Sequence, residues 1–155
     1  MSAVLLDTNV ISELMRRQPA QAVLDWFAAH APASLFFSAI GEAELRTGAA
    51  ILPAGKRRDD LTAAIDAMIA EDFAGRVLPF DSAAAKAYAA IAAARRTAGR
   101  PIMEADCQIA AIARVRGAIV ATRNIGDFEG CGIGVVDPWQ TRTGGPDDPD
   151  KSASA

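Results

Sequence analysis

The sequence predicts an α/β domain with a central, mainly parallel β-sheet. Short apolar runs alternate along the chain with longer segments in which apolar residues recur at helical spacing. Strands separated by helices in this way tend to pair in parallel, because each helix carries the chain back to the same edge of the sheet. The 155 residues suffice for one domain with a hydrophobic core, and are too few for two. We therefore expect one domain over residues 1–140 and a disordered tail over residues 141–155, where apolar periodicity is lost.

The strands are predicted from short runs of apolar residues bounded by polar or turn-forming residues. Such runs are typical of parallel strands, which are buried on both faces. The first run, Ala-Val-Leu-Leu, comes almost at the start of the chain and leads directly into an acidic residue. In order, the expected strands lie at residues 3–6, 35–37, 77–78, 118–121 and 133–136.

The helices are expected between these strands, where apolar residues recur at intervals of three and four. Ser38 is suited to be the N-cap of the helix after the second strand, and Asp81 or Ser82 that of a later helix. Gly99 is expected to end this later helix, and Gly117 the next one. In order, the predicted helical segments pass through residues 11–15, 23–30, 40–51, 61–69, 84–91 and 102–117.

Charge and composition exclude several classes of function. The net charge of −3 argues against a protein that holds nucleic acid chiefly by charge, although short basic clusters are present. The hydrophobic content of 51% is compatible with an apolar interface for a partner. No apolar run approaches the length of a membrane span or a signal-peptide core. We therefore expect no membrane contact. Cys107 and Cys131 have no metal-type spacing, and we expect them to be reduced cysteines of a cytoplasmic protein.

Four acidic residues stand where an acid is hard to explain structurally. Asp7 ends the first apolar run, and Asp127 lies a few residues beyond the fourth. Glu44 and Asp106 each interrupt the apolar stripe of a predicted helix. Burying a carboxylate costs several kcal/mol unless a cation or hydrogen bonds compensate. The four acids therefore predict a site for a hard divalent metal at the carboxyl ends of the strands.

Helical phase separates Glu44 from its neighbour Glu42. The two are about 200° apart around a helix, so if Glu44 faces inward then Glu42 faces outward. Gly48, one turn below Glu44, would let another backbone approach. The stripe predicted to face inward comprises Ile40, Ala43, Glu44, Thr47, Gly48 and Ile51.

The same reasoning applies to the helix that contains Asp106. Asp106 shares a face with Ile109 and Ala110, whereas Glu104 falls on another side. Structural alternatives stay open for the acids: a favourable charge in the first helical turn for Asp106, a helix cap for Asp7 and a turn residue for Asp127.

Oxygen ligands without a histidine or cysteine cluster favour Mg²⁺ or Mn²⁺ over Zn²⁺. Such an ion suits phosphodiester hydrolysis, because it activates water and screens the charge that develops on the phosphate. The chain has a single histidine, His30, which excludes a two-histidine ribonuclease mechanism, and its place on an apolar stripe indicates a packed residue. Four polar residues near the acids are candidates for positioning water or substrate, with capping or turn roles equally open: Thr8, Asn9, Thr122 and Asn124.

Four stretches of the chain resemble, in order, the motifs of PIN-domain ribonuclease toxins of the VapC family. Residues 6–14, Leu-Asp-Thr-Asn-Val-Ile-Ser-Glu-Leu, are similar to the opening motif, and residues 43–48 to the second. Residues 101–113 resemble the third, and residues 121–128 with the ending 136–139 the last. The similarity extends over residues 3–139 and is greatest to the FitB-like branch.

The resemblance implies a PIN-like three-layer α/β/α fold and a ribonuclease of a type II toxin–antitoxin system, with tRNA or ribosomal RNA as common targets. It places the family's acids at Asp7, Glu44, Asp106 and Asp127, around one or two Mg²⁺ or Mn²⁺ ions. Some members carry a further acid near Asn124, so we expect Asn124 to position water or phosphate instead. The implied partners are a VapB-like antitoxin that blocks the active site, a second copy of the toxin, and operator DNA bound through the antitoxin.

Two other functions compete with the metal-dependent endoribonuclease. The first is a component that docks the antitoxin and acts as a co-repressor, with weak or no nuclease activity. The presence of all four acids disfavours it. The second is a phosphatase with Asp7 as nucleophile, which is disfavoured because Asn9 stands where its acid/base Asp is expected.

Overall fold

The protein is described by a computed structural model over residues 2–140. The predicted tail at residues 141–155 lies outside the described residues. Within residues 2–140 the strands are β1 Val4–Leu6, β2 Leu35–Ser38, β3 Val77–Leu78, β4 Ile119–Ala121 and β5 Val135–Val136. They form one sheet of order β3-β2-β1-β4-β5, in which every neighbouring pair is parallel. The predicted parallel α/β architecture is confirmed.

The helices of the described residues begin and end close to the predicted positions. They are α1 Thr8–Leu14, α2 Gln21–Ala28, α3 Ala39–Ala50, α4 Lys56–Ala67, α5 Ser82–Thr97 and α6 Glu104–Arg116. Short helical turns also occur at Pro32–Ser34, Met68–Asp72 and Ile125–Phe128. The Ser38 hydroxyl caps α3 by accepting a 2.9 Å hydrogen bond from the Gly41 N–H, and Asp81 caps α5 in the same way. Gly117 ends α6 with a φ of 63°, the left-handed conformation that glycine favours.

The helices cover both faces of the sheet and make three α/β/α layers. Successive side chains of a strand point to opposite faces, and β1 shows this alternation directly. Leu5 packs into the core beneath α5 and α6, whereas Val4 and Leu6 pack into the core formed with α1 to α4. None of the helices within residues 2–140 is long and apolar enough to cross a bilayer.

The sheet order places the end of β1 beside the end of β4. The chain runs from β1 outward through β2 and β3, then returns to the other side of β1 as β4. At such a switch point the connections diverge and leave a crevice at the carboxyl ends of the strands, which is the usual ligand site of open α/β sheets. Asp7 follows β1 and Thr122 follows β4, so both residues lie at this end of the sheet.

The predicted inward stripe of α3 is wrong. Its buried residues are Gly41, Leu45 and Ala49, whereas Glu44 is exposed. The small Gly41 lets the helix lie against Phe37, because a Cβ at this glycine would come within 2.4 Å of the Phe37 ring. A Cβ at Gly48 would meet no atom within 4 Å, so the expected close backbone approach there is also wrong.

Several helix ends differ by a few residues from the predicted helical segments. α2 ends at Ala28, before His30, and α6 begins at Glu104, after Ile102. α4 begins at Lys56, five residues before the first apolar position of its stripe. These ends lie in polar or alanine-rich stretches, where apolar spacing gives no boundary signal.

Candidate active site

The Asp7 carboxylate lies at the carboxyl end of β1 and is held by the protein on both oxygens. Its Oδ1 accepts a 2.8 Å hydrogen bond from the Thr8 N–H, which caps α1. Its Oδ2 accepts a 2.7 Å hydrogen bond from the Thr122 hydroxyl and a longer one, 3.3 Å, from the Asn9 amide. Asp7 is 6% exposed, so these donors compensate for part of the lost hydration.

Thr122 and Asn9 form a second layer beneath Asp7. The Thr122 hydroxyl, fully buried, also accepts hydrogen bonds from the Asn9 amide at 3.3 Å and the Asn124 N–H at 3.1 Å. The Asn9 carbonyl oxygen in turn accepts from the Arg123 N–H at 3.3 Å. Thr122 has no exposed surface, and its hydroxyl hydrogen bond holds the Asp7 carboxylate in one orientation.

Glu44 projects from α3 toward the end of β1. Its Oε1 accepts a 2.8 Å hydrogen bond from the Thr8 hydroxyl. Glu42 points elsewhere and accepts a 2.7 Å hydrogen bond from Arg46 Nε. Arg46 also forms an ion pair with Asp66 at 2.7 Å. The structure therefore brings Glu44 and not Glu42 to the crevice, although Glu44 reaches it from an exposed face of α3.

Asp106 in the first turn of α6 is half-buried and faces the other acids. Burial raises its pKa to about 6, and the negative charges of Asp7, Asp127 and Glu44 add to this shift. Burial also raises the pKa of Asp7 above its usual range, against the lowering effect of its hydrogen bonds to Thr122 and Thr8. The charges of Glu44 and Asp127 thus act on both Asp7 and Asp106.

Asp127 is exposed and lies in the helical turn after β4, at the edge of the group. The turn is held by hydrogen bonds from Arg95, a residue of α5 that is 6% exposed. Arg95 Nη1 donates to the backbone carbonyls of Asp127 at 3.0 Å and Glu129 at 2.7 Å, and Nε donates to that of Arg100 at 2.6 Å. The positive charge of Arg95 also offsets part of the rise in the Asp106 pKa.

A cavity of about 490 Å³ opens above these residues. Three of the four acids line it, and Asp127 lies outside its lining. Sequence reasoning did not select Ser12, Glu13, Arg16 or Trp139, because helical phase and motif position singled out the acids and the polar residues beside them. The lining consists of Asp7, Thr8, Asn9, Ser12, Glu13, Arg16, Glu44, Asp106, Arg123, Asn124 and Trp139.

The donor set suits a hard divalent ion that keeps most of its water. Among residues 2–140, no three acidic, histidine or cysteine side chains stand close enough to form a ready-made metal cage. Mg²⁺ is commonly bound through one or two carboxylates plus waters and substrate phosphate, so it does not need such a cage. Burial raises the pKa of Asp7 and Asp106, and repulsion from the neighbouring acids adds to the rise. A cation would relieve that repulsion.

The sequence matches the PIN domain family over residues 4–129. Three relatives match over nearly their whole length. The plasmid stability protein StbB of Pseudomonas syringae pv. tomato is 49% identical over 137 residues, which is 88% of this chain and 99% of that protein. The VapC ribonuclease Y4jK of Sinorhizobium fredii is 45% identical over 137 residues, covering 88% and 98%. Toxin FitB of Neisseria gonorrhoeae is 43% identical over 136 residues, covering 88% and 98%.

Solved structures show the same similarity in three dimensions. The crystal structure of FitAcB from Neisseria gonorrhoeae superposes with a TM-score of 0.84 at 42% identity, covering 89% of this chain and 99% of that one. The structure of FitAB bound to an IR36 DNA fragment gives a TM-score of 0.84 at 41% identity, covering 90% and 97%. The resemblance predicted from the four motifs is therefore confirmed: the chain belongs to the PIN domain family, with VapC ribonucleases and the FitB toxin among its relatives.

Proposed function

We propose that this protein is a metal-dependent endoribonuclease and the toxin of a type II toxin–antitoxin pair. In this proposal it hydrolyses RNA phosphodiester bonds in the cytoplasm, with Mg²⁺ or Mn²⁺ held among Asp7, Glu44, Asp106 and Asp127. The relatives include a protein named as a VapC ribonuclease and one named as a toxin. The observation that carries the proposal is the convergence of Asp7, Glu44 and Asp106 on one cavity at the switch point of the sheet, with Asp127 at its edge. Burial there, together with the neighbouring acidic charges, raises the pKa of Asp7 and Asp106.

The residues around the acids have distinct tasks in this mechanism. Thr122 and the Thr8 N–H hold the Asp7 carboxylate in one orientation, and the Thr8 hydroxyl does the same for Glu44. Asn124 lines the cavity and is placed to orient water or a phosphate oxygen. A bound divalent ion would supply two effects, a lowered pKa for an attacking water and screening of the charge on the phosphate.

The carboxylates also oppose the binding of RNA when no cation is bound. Without a cation, a phosphodiester would meet several negative charges in a small space, and its approach would be opposed. Binding of metal and RNA is therefore expected to be coupled, each favouring the other. The single histidine, His30, is held beside Trp26 with its Nδ1 at 2.7 Å from the Trp26 carbonyl oxygen, and it takes no part.

A VapB-like antitoxin is the proposed protein partner, and a second copy of the chain is the proposed dimer mate. The FitAB structure among the relatives was solved as a complex on DNA. Contact of this chain with operator DNA is proposed to occur through the antitoxin. tRNA or ribosomal RNA is the proposed substrate.

One feature of the structure favours the docking function as a second candidate. A groove of about 1140 Å³ runs beside α1, α2 and α4 and is lined in large part by apolar side chains, among them Leu14, Phe27 and Leu61. A groove of this size and character fits a partner segment. A component that docks an antitoxin and acts as a co-repressor, with weak or no nuclease activity, would use the groove and leave the acids idle.

RNA cleavage by the purified, antitoxin-free protein separates the two functions. The protein is incubated with total cellular RNA in Mg²⁺ or Mn²⁺, with EDTA and an Asp106→Asn variant as controls. The nuclease predicts discrete products that disappear in both controls. Intact RNA with folded wild-type protein and either ion would instead support the docking function, and cleavage that survives in Asp106→Asn would place the active site elsewhere.

A further inference from the structure

The guanidinium group of Arg123 lies over the ring of Trp139, with its central carbon 5.1 Å from the ring centroid. Both side chains line the cavity that holds Asp7, Glu44 and Asp106. A planar cation over an indole face is an attractive arrangement that keeps the guanidinium edge free to donate hydrogen bonds. The wall of the acidic cavity thus carries a cation in a defined position.

Two arginines line this cavity, and they differ in their partners. Arg16 forms an ion pair with Glu13 at 3.0 Å, and the Glu13 side chain is 7% exposed. The Arg123 guanidinium has no ion pair or hydrogen bond within residues 2–140. The charge of Arg16 is therefore committed to the protein, whereas that of Arg123 is available to a ligand.

Trp139, which lies against the Arg123 guanidinium, and the Arg123 backbone are both held by further contacts. The backbone N–H of Trp139 donates a 2.9 Å hydrogen bond to the Asp137 carboxylate. The Trp139 ring packs against the core between the sheet and α1 to α4. The pKa of Glu13 is lowered chiefly by its hydrogen bond from Arg16, with a small contribution from the Trp139 side chain. The Arg123 N–H donates to Asn9, the residue that also bonds Asp7. Arg123 is thereby tied to the same network as the acids.

We propose that Arg123, held on Trp139, binds an RNA phosphate adjacent to the bond that is cut. This assignment rests on the proposed ribonuclease function and names the contact through which RNA is held. A chain of net charge −3 with several acids in its site needs a local cation to bring a phosphodiester close. Arg123 supplies that cation in the same cavity, and its planar donor edge matches the oxygens of a phosphate.

Binding of RNA, measured apart from cleavage, tests this role. All variants are made in the Asp106→Asn protein, in enough Mn²⁺ to saturate its weakened metal site. The probe is a short fluorescein-labelled single-stranded RNA of mixed sequence, followed by anisotropy over a range of salt. Arg123→Ala should weaken binding about tenfold, because a charge-assisted hydrogen bond is lost. It should also reduce the slope of log K against log salt by about 0.7, the value for one phosphate contact on a single strand. Arg96→Ala removes an exposed arginine of α5 and should change neither quantity.

Further variants test whether Trp139 holds Arg123 in position. Arg123→Lys keeps the charge, so it should restore the salt slope while recovering only part of the affinity. Trp139→Leu should weaken binding, and the double variant with Arg123→Ala should bind no more weakly than Arg123→Ala alone, because the indole acts through the arginine. If Trp139→Leu does not fold, as judged by circular dichroism, the three variants at Arg123 and Arg96 decide the question.

Different results would overturn the phosphate contact of Arg123 and the nuclease activity. An unchanged affinity and salt slope in Arg123→Ala would overturn the phosphate contact even if the wild-type protein cleaves RNA. Absence of any RNA binding would overturn it as well. Binding that depends on Arg123, in a protein whose wild type never cleaves RNA, would support the contact and overturn the nuclease. Equal losses in Arg123→Ala and Arg96→Ala would show a general charge effect and contradict the assignment.

Discussion

The Thr122 hydroxyl donates a 2.7 Å hydrogen bond to Asp7 Oδ2, although the two residues are 115 positions apart in the sequence. The bond joins the end of β4 to the end of β1 and is buried. It holds the carboxylate in place, and it lowers the pKa of Asp7 against the larger rise that burial causes.

Replacing Thr122 tests how much this bond contributes to activity. Thr122→Val keeps the shape and removes the donor, and a hydrogen bond to a charged group contributes about 1.5–3 kcal/mol. We expect kcat for RNA cleavage to fall about tenfold or more, with KM little changed because Thr122 is buried. Thr122→Ser, which retains the hydroxyl, should recover most of the rate. Equal rates in the two variants would show that the bond is dispensable.

Glu44 and Glu42 form a matched pair on α3. Glu44→Gln removes a carboxylate that faces the other acids and should abolish metal-dependent cleavage. Glu42→Gln breaks an ion pair with Arg46 whose partners are 25% and 39% exposed, and such pairs contribute about 0–1 kcal/mol to stability. We expect Glu42→Gln to retain most of the activity in the same assay. Similar losses in both variants would contradict the geometry of the site.

Arg95 should matter for stability and for the position of Asp127. Arg95→Met leaves the carbonyls of Arg100, Asp127 and Glu129 without their donor, which we expect to lower the free energy of unfolding by about 3 kcal/mol. Arg96→Met, its exposed neighbour, should stay within about 0.5 kcal/mol of the wild type. Urea unfolding of the two variants gives the comparison. A midpoint for Arg95→Met that matches the control would mean that the turn does not depend on Arg95.

The pKa of Asp106 predicts how the metal-free protein responds to pH. The folded pKa of about 6 lies above the ordinary value of 3.8, so the folded state binds this proton more tightly than the unfolded state. The contribution of Asp106 to stability is therefore greatest below about pH 4 and declines as the pH rises to about 6. Asp106→Asn cannot titrate.

Thermal unfolding in EDTA measures this contribution as the Tm of the wild type minus that of Asp106→Asn. The difference should decrease between about pH 4 and about pH 6 and stay constant above that range. Added Mg²⁺ should raise the wild-type Tm at neutral pH more than that of the variant. A difference that is independent of pH, or that increases with pH, would contradict the raised pKa.

Local patterns in the sequence predicted the elements well. The apolar run at residues 3–6 and the caps at Ser38 and Asp81 are signals that depend on a few adjacent residues. The order of the strands could not be predicted, because it depends on which side of β1 the chain returns to after β3. The family could be predicted without the strand order, because the four motifs occur in the chain in the order that the PIN domain family has.

The face of α3 shows why apolar spacing alone misled the prediction. The stripe was drawn through large residues such as Ile51, which is 77% exposed. The helix instead packs through Gly41, Leu45 and Ala49, and the absence of a side chain at Gly41 permits close contact with Phe37. Arg95 was missed for a related reason: its partners are backbone carbonyls of a distant turn, which leave no mark in the sequence.

Binding of Mn²⁺ tests most directly whether the acids form a metal site. Electron paramagnetic resonance of free Mn²⁺, titrated with metal-free protein, reports binding without requiring a substrate. We predict that the wild type and Glu104→Gln bind the ion alike, because Glu104 is exposed on another side of α6. Asp106→Asn and Asp7→Asn should bind at least tenfold more weakly, the effect of losing about 1.4 kcal/mol. Wild-type affinity in both site variants would contradict the central claim that these acids hold the metal.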